Sequence, residues 1–148
     1  MIPAGSISEI LQHKGGNTWT ISPETTVFEA IQMMADKNIG ALLVMDKEQL
    51  VGIISERDYT RKVALKGKSS RETPVRDILS GDLFSVKPSH SVAECLRLMT
   101  DHRVRHLPVL EGDKVAGIVS IGDLVNWVIS AQSSTIHQLE TYIGGLPG

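Results

Sequence analysis

The stretch Gly52-Ile53-Ile54-Ser55-Glu56-Arg57-Asp58 returns 65 residues later as Gly117-Ile118-Val119-Ser120-Ile121-Gly122-Asp123. Each copy runs from a glycine through two apolar, strand-like residues into Ser-x-x-Asp, a pattern that opens helices. Extending the comparison outward, residues 20–58 align with residues 85–123 at the same offset and without a gap. The 39 positions hold 11 identities, among them Pro23/Pro88, Val27/Val92, Glu29/Glu94, Met34/Met99, Leu42/Leu107 and Val44/Val109. Ordinary composition would give roughly two or three by chance. The chain is therefore an internal duplication, and the fold has to be read as two copies of one unit.

Each copy predicts the order β-α-β-β-α. A short strand comes first, Trp19 to Ile21 and Phe84 to Val86, and a proline follows. Thr26-x-x-Glu29 and Ser91-x-x-Glu94 then fit the capping box, in which the hydroxyl takes an amide and the carboxylate reaches back. Val27, Ala30, Ile31 and Met34 recur at helical spacing behind the first box, and Val92, Cys95, Leu96 and Met99 behind the second. Two strands follow around a short polar turn, Ala41 to Met45 with Leu50 to Ile54, and Leu107 to Leu110 with Val115 to Val119. A second helix begins near Ser55 and near Ser120. A shorter echo, Ile7-x-x-Ile10-Leu11 against Val75-x-x-Ile78-Leu79, stands just ahead of each copy. Lys66 to Pro74 is a polar connector, and Thr135 to Ile143 reads as one more helix ended by Gly144-Gly145. The expected division is 1–67, 68–130 and a helical tail 131–148. The fold class is α/β (α+β): two units packed about a pseudo-twofold axis, with small mixed sheets flanked by helices. A unit this small closes its core poorly alone. Face-to-face packing would also leave two related clefts, where ligands commonly bind.

Composition narrows the function. The 148 residues are 41% hydrophobic and 22% charged, as in an ordinary globular domain. A net charge of −2 and 4% aromatics disfavour a nucleic-acid binder. No apolar run approaches a membrane span. The first residues lack the basic and apolar regions of a signal peptide, so the cytoplasm is the expected location; an organellar protein shorn of its transit peptide would read the same. The lone Cys95 forbids an intramolecular disulfide, and its place on an apolar stripe reads as a small buried hydrophobe.

With the repeat in hand, the residues resemble a known family. The two Gly-to-Asp stretches look like the signature of cystathionine-β-synthase-type (CBS) domains. Asn38 to Val44 and Arg103 to Val109 resemble that family's second-strand motif. The resemblance covers about Ser6 to Ile129 and implies a tandem pair, often called a Bateman module. Such pairs are regulatory rather than catalytic, bind AMP, ADP, ATP, NAD(H) or, less often, S-adenosylmethionine, and commonly form homodimers. Carried over by position, Asp58 and Asp123 would hold ribose hydroxyls, helped by Ser55 and Ser120. The cleft of Ser120 and Asp123 would also use Trp19, Thr20, Ile39 and Ala41. The cleft of Ser55 and Asp58 would use Phe84, Ser85, Val104 and His106. Ile118 joins the implied set. Arg57, Arg61, Arg105 and His106, and more weakly Lys14, would meet phosphates, for which an arginine fork is well suited.

Plainer readings stand beside these. Ser-x-x-Asp can be nothing more than a helix cap, and Arg57, Arg61, Lys62 and Lys66 a solvated helix face. Met33, Met34 and Met99 read as packing. His102-x-x-x-His106 crosses from helix to strand and lacks further ligands, so a metal site is not expected. No nucleophile–base pair, glycine-rich phosphate loop or paired carboxylates point to an enzyme. The alternative to a nucleotide sensor acting on a partner protein is a constitutive interaction or dimerisation module with vestigial clefts. Gly40-Ala41 faces Arg105-His106 in the alignment, and Glu56-Arg57 faces Ile121-Gly122, so the clefts should differ in affinity or in ligand.

Overall fold

The structure, a computed structural model, describes residues 5–15, 18–79 and 83–144, with side chains through residue 132. Each unit begins with a helix fixed by its cap. In α2 (Val27–Lys37) the Thr26 hydroxyl accepts from the Glu29 amide at 3.2 Å. In α4 (Val92–His102) Ser91 and Glu94 complete both arms of the box. The return arm expected of Glu29 does not form, so the first box is half made. Both helices end in a left-handed residue, Asn38 and Arg103, which breaks the helical path and turns the chain into the sheet.

The antiparallel pairs expected from the sequence follow: β2 (Ala41–Asp46) with β3 (Gln49–Ser55), and β4 (His106–Glu111) with β5 (Lys114–Ser120). In the first unit the short strand β1 (Thr20–Ile21) adds in parallel to β2, so the strand is shorter than Trp19 to Ile21. In the second unit the strand expected over Phe84 to Val86 shrinks to a single bridge, Val86 to Val109. The cause is Pro108. Its counterpart Leu43 donates its amide to the Trp19 carbonyl at 3.4 Å, whereas proline has no N–H to give. Only the flanking bonds survive, from Val86 N to Pro108 O and from Leu110 N to Val86 O.

The second helices diverge more. In the first unit α3 (Glu56–Tyr59) makes one α turn and then widens into a π turn over Thr60–Ala64. In the second, α5 (Ile121–Gly144) is continuous, so the tail from Thr135 onward is no separate helix but the far end of α5. Gly122 sits in its first turn, and no proline or further glycine interrupts it before Gly144.

The short echoes ahead of each unit pack crosswise. Helix α1 (Ile7–Lys14) precedes the first unit, yet Ile7 and Ile10 are buried with Val86, Val92, Cys95, Leu107, Val119 and Leu124 of the second. The 3-10 turn Val75–Ile78 precedes the second unit, yet it is buried with Ile21, Val27, Ala30, Leu42 and Ile54 of the first. Backbone bonds repeat the exchange. Ile7 N to His90 O, Ser8 N to Pro88 O and Val92 N to Gly5 O are matched by Val75 N to Thr25 O, Arg76 N to Pro23 O and Val27 N to Thr73 O. The two signature glycines make room for these arms. A Cβ on Gly52 would lie 2.9 Å from Leu79 Cδ2, and one on Gly117 would lie 2.8 Å from Leu11 Cδ2. Each hydrophobic core is thus closed by an arm from the other half, and the halves form one body.

Candidate functional site

Both Ser-x-x-Asp motifs sit where the last strand of a unit becomes a helix, and both are reciprocal caps. Ser55 N donates to Asp58 Oδ2 at 2.8 Å, and Asp58 N donates to Ser55 Oγ at 3.3 Å. Ser120 N donates to Asp123 Oδ2 at 2.8 Å, and Asp123 N to Ser120 Oγ at 3.1 Å. The capping role is therefore real at both sites. It occupies one carboxylate oxygen and leaves the other turned to its surroundings.

Those surroundings differ. Asp58 lies in a cleft of about 620 Å³ built from both units. The first unit supplies Gly40, Ile53, Ser55, Glu56, Arg57, Arg61 and Lys62; the second supplies Phe84 and the run His102 to His106. Five cationic side chains, Arg57, Arg61, Lys62, Arg103 and Arg105, face two carboxylates, Glu56 and Asp58. Lys62 leans on Asp58 Oδ1 at 3.3 Å and donates to the Ile78 carbonyl at 3.0 Å. Arg57 reaches across the cleft, its Nη1 3.4 Å from the carbonyl oxygen of Arg103. On the far wall the Phe84 and His102 rings stack at 3.8 Å, with 19° between their planes. His106 is crowded between the sites. Burial, the nearby Lys14 ammonium and Arg105 lower its pKa from the ordinary 6.5, against the pull of Asp123 and Asp58. A Cβ at Gly40 would stand 3.5 Å from the imidazole, an ordinary van der Waals contact.

Asp123 borders a second hollow, of about 550 Å³, lined by Ile10, His13, Lys14, Asn126, Trp127, Ser130 and Ala131. Lys14 does not stand free. Its Nζ lies 2.7 Å from Asp123 Oδ2 and 2.8 Å from the Ile118 carbonyl oxygen. Burial would raise the Asp123 carboxyl, but Lys14 and the Ser120 donors outweigh it and hold it below its ordinary value.

Of the residues singled out from the sequence, Ser55, Arg57, Asp58, Arg61, Phe84, Val104, Arg105 and His106 converge on the first cleft; Ser85 does not line it. Lys14 and Asp123 share the second hollow, and Ser120 caps at its edge. Trp19, Thr20, Ile39 and Ala41 do not line that hollow. Trp19 instead carries the Lys37 ammonium 4.1 Å from its ring centre, Ile39 packs on the first core, and Ala41 is buried in β2. Gly40, Ile53, Glu56, Lys62, His102 and Arg103 line the same cleft without having been singled out as site residues in the sequence. Lys62 carried a signal, its i+4 spacing from Asp58; Arg103 became a wall residue only through the left-handed cap of α4. Among the described residues no group of three or more His, Cys, Asp or Glu side chains could hold a metal ion, and no helix is long and apolar enough to cross a membrane.

Comparison with known proteins agrees with this architecture. The CBS domain profile matches residues 7–65 and 75–130. The mitochondrial CBS domain-containing protein CBSX3 of Arabidopsis thaliana is 38% identical, across 95% of this chain and 72% of its own. The CBS domain-containing protein YhcV of Bacillus subtilis is 33% identical, across 78% and 81%. The solved structure of a CBS-domain protein from Burkholderia ambifaria superposes with a TM-score of 0.83 at 46% identity, covering 86% of this chain and 96% of that one.

Proposed function

The chain belongs to the CBS-domain family, and from that membership we propose that it is a regulatory sensor of adenine nucleotides with its working site in the Asp58 cleft. The observation that carries this reading is the joining, across the two units, of a capped Ser-x-x-Asp to five cationic side chains. Asp58 Oδ1, approached by Lys62 among the described residues, is the group that would accept a ribose hydroxyl. Arg57, Arg61, Lys62, Arg103 and Arg105 would share the phosphate chain, each contact a charge-assisted bond. Phe84 and Val104 offer the apolar surface for the base. ATP should then bind more tightly than ADP, and ADP more tightly than AMP, with NAD(H) among the accepted dinucleotides. S-adenosylmethionine, which is itself cationic, is disfavoured by the same charges.

The response would arise from Arg57. Its bond to the Arg103 carbonyl ties the two units across the cleft, and a phosphate competing for that guanidinium would change the tie. A ligand shifts an equilibrium only as far as it prefers one arrangement, and a partner protein would read the result.

Calorimetric titration with ATP, ADP and AMP tests the reading. Replacing Arg57 or Arg61 by Ala should weaken ATP about tenfold or more, the worth of one charged hydrogen bond, and narrow the gap between ATP and AMP. Equal affinities for all three nucleotides, unmoved by either substitution, would remove the basis for the proposal. A second reading, a constitutive dimerisation module, draws on one feature: Ile121, Val125 and Ile129 form an exposed apolar row at i, i+4 and i+8 on α5. A dimer by sedimentation that ignores every nucleotide would favour it.

A further inference from the structure

The two Ser-x-x-Asp motifs are related by the repeat but not by their cations. In the first, the lysine on the Asp is Lys62, one helical turn beyond Asp58. Its counterpart in the second unit is Trp127, which offers no charge and packs against Gly5. The cation on Asp123 comes instead from the opposite direction, as Lys14 at the end of α1. That helix is no loose strand-end. Ile7 and Ile10 are buried in the second core, and two backbone bonds join Ile7 and Ser8 to His90 and Pro88. The ammonium is therefore delivered by a docked element to a set place.

That place is specific. Lys14 Nζ bonds Asp123 Oδ2 at 2.7 Å and the Ile118 carbonyl at 2.8 Å. The carbonyl is available because it points away from β4: the backbone of Pro108, its cross-strand partner, faces the Phe84 to Val86 segment, so the two are not a hydrogen-bonded pair. A carboxylate and a carbonyl at the end of a strand are acceptors of the kind that sugar hydroxyls and a base amine need. One amine holds both, meeting the carboxylate on the oxygen that also takes the Ser120 amide. We infer that Lys14 is a tethered occupant of the Asp123 cleft, a specificity-determining residue that closes this cleft to nucleosides and leaves the Asp58 cleft to work alone. The inference rests on the reading of the two clefts as nucleoside sites. It goes beyond it in making the unequal clefts the work of one side chain.

Removing the amine changes what the cleft would take. Asp123 then lacks its cation, so the opened site suits an uncharged nucleoside rather than a polyphosphate. Adenosine is accordingly the probe, titrated by calorimetry into the full chain, its Lys14→Met and Lys14→Gln variants and the Lys14→Met/Asp123→Asn double variant. The expected result is adenosine affinity at least tenfold higher in Lys14→Met than in the parent, with the gain lost in the double variant. NMR titration of the Asp123 carboxyl in Lys14→Met should show its pKa rising, since the donor that holds it down is gone; an unmoved carboxyl would mean that the ion pair does not form. Adenosine binding unchanged in both Lys14 variants overturns the inference, and binding weakened in them makes Lys14 a ligand contact and overturns it too. ATP titration of the parent separates the two failures. If ATP binds through the Asp58 cleft while adenosine ignores Lys14, only this inference falls; if neither ligand binds any form of the protein, both fall together.

Discussion

Replacing Ile7 by Ala puts the crossed arms to a quantitative test. Ile7 stands on the short echo ahead of the first unit, outside the repeat itself. It is nonetheless 0% exposed and packed among residues of the second unit. The substitution removes three carbons, worth about 0.8 kcal/mol each in transfer. With the cavity left behind, the total comes to about 3–4 kcal/mol, inside the range of about 2–5 seen for such deletions. With a urea m-value of about 2 kcal/mol/M, the unfolding midpoint should fall by about 1.5–2 M. The slope should stay unchanged and the transition single, because each core needs the other half's arm. Val75→Ala, the mirror position, deletes two carbons and should cost less. A loss below about 0.5 kcal/mol for Ile7→Ala, or two separate transitions in the parent protein, would refute the crossed packing.

Three further outcomes follow from the described geometry. His106 has a lowered pKa in the fold, so the unfolded chain takes its proton first: its share of stability is complete above about pH 6.5 and is lost as pH falls below that value. Melting temperature should therefore drop more steeply from about pH 7.5 to about pH 5.5 in the parent than in His106→Gln, and equal slopes would contradict the assignment. Cys95 is fully buried with its thiol pushed up to about 11, so a disulfide reagent at mild pH should label it only as fast as the protein unfolds; labelling at the rate of a free thiol would place it outside the core. Ser91→Ala should cost about 1 kcal/mol or somewhat more and exceed Thr26→Ala, since only Ser91 carries both arms of its box; urea titration of the two variants reads the order directly.

Much of this was legible in the residues, because the signals that built it were local. Period and caps marked α2 and α4, and polar turns marked the two hairpins. The unmatched residues marked that the two clefts would differ. What escaped depended on distant partners. Ile7, Ile10 and Leu11 stood out as an echo, but nothing in their spacing says that they enter the core of the opposite half. The docking of Lys14 on Ile118 and Asp123 was not legible either, since it exists only after α1 has crossed over. Pro108 is different: its missing N–H was written in the sequence, and it could have warned that Phe84 to Val86 would hold one bridge rather than a strand. The π turn after α3 had no counterpart in the repeat, since the same stretch of the second unit runs on as α5.

The exchange of arms also bears on why both copies reside in one polypeptide. A single copy would leave its arm without a home core, and two separate copies could satisfy one another only as a swapped pair. Such a pair is symmetric by construction: every substitution appears twice, and its clefts must stay twins. Linking the copies by Lys66 to Pro74 keeps the swap but breaks that obligation. Arg105 can then arise opposite Gly40, and Trp127 opposite Lys62, with no echo required. The covalent joint is what permits the two clefts to differ in their lining.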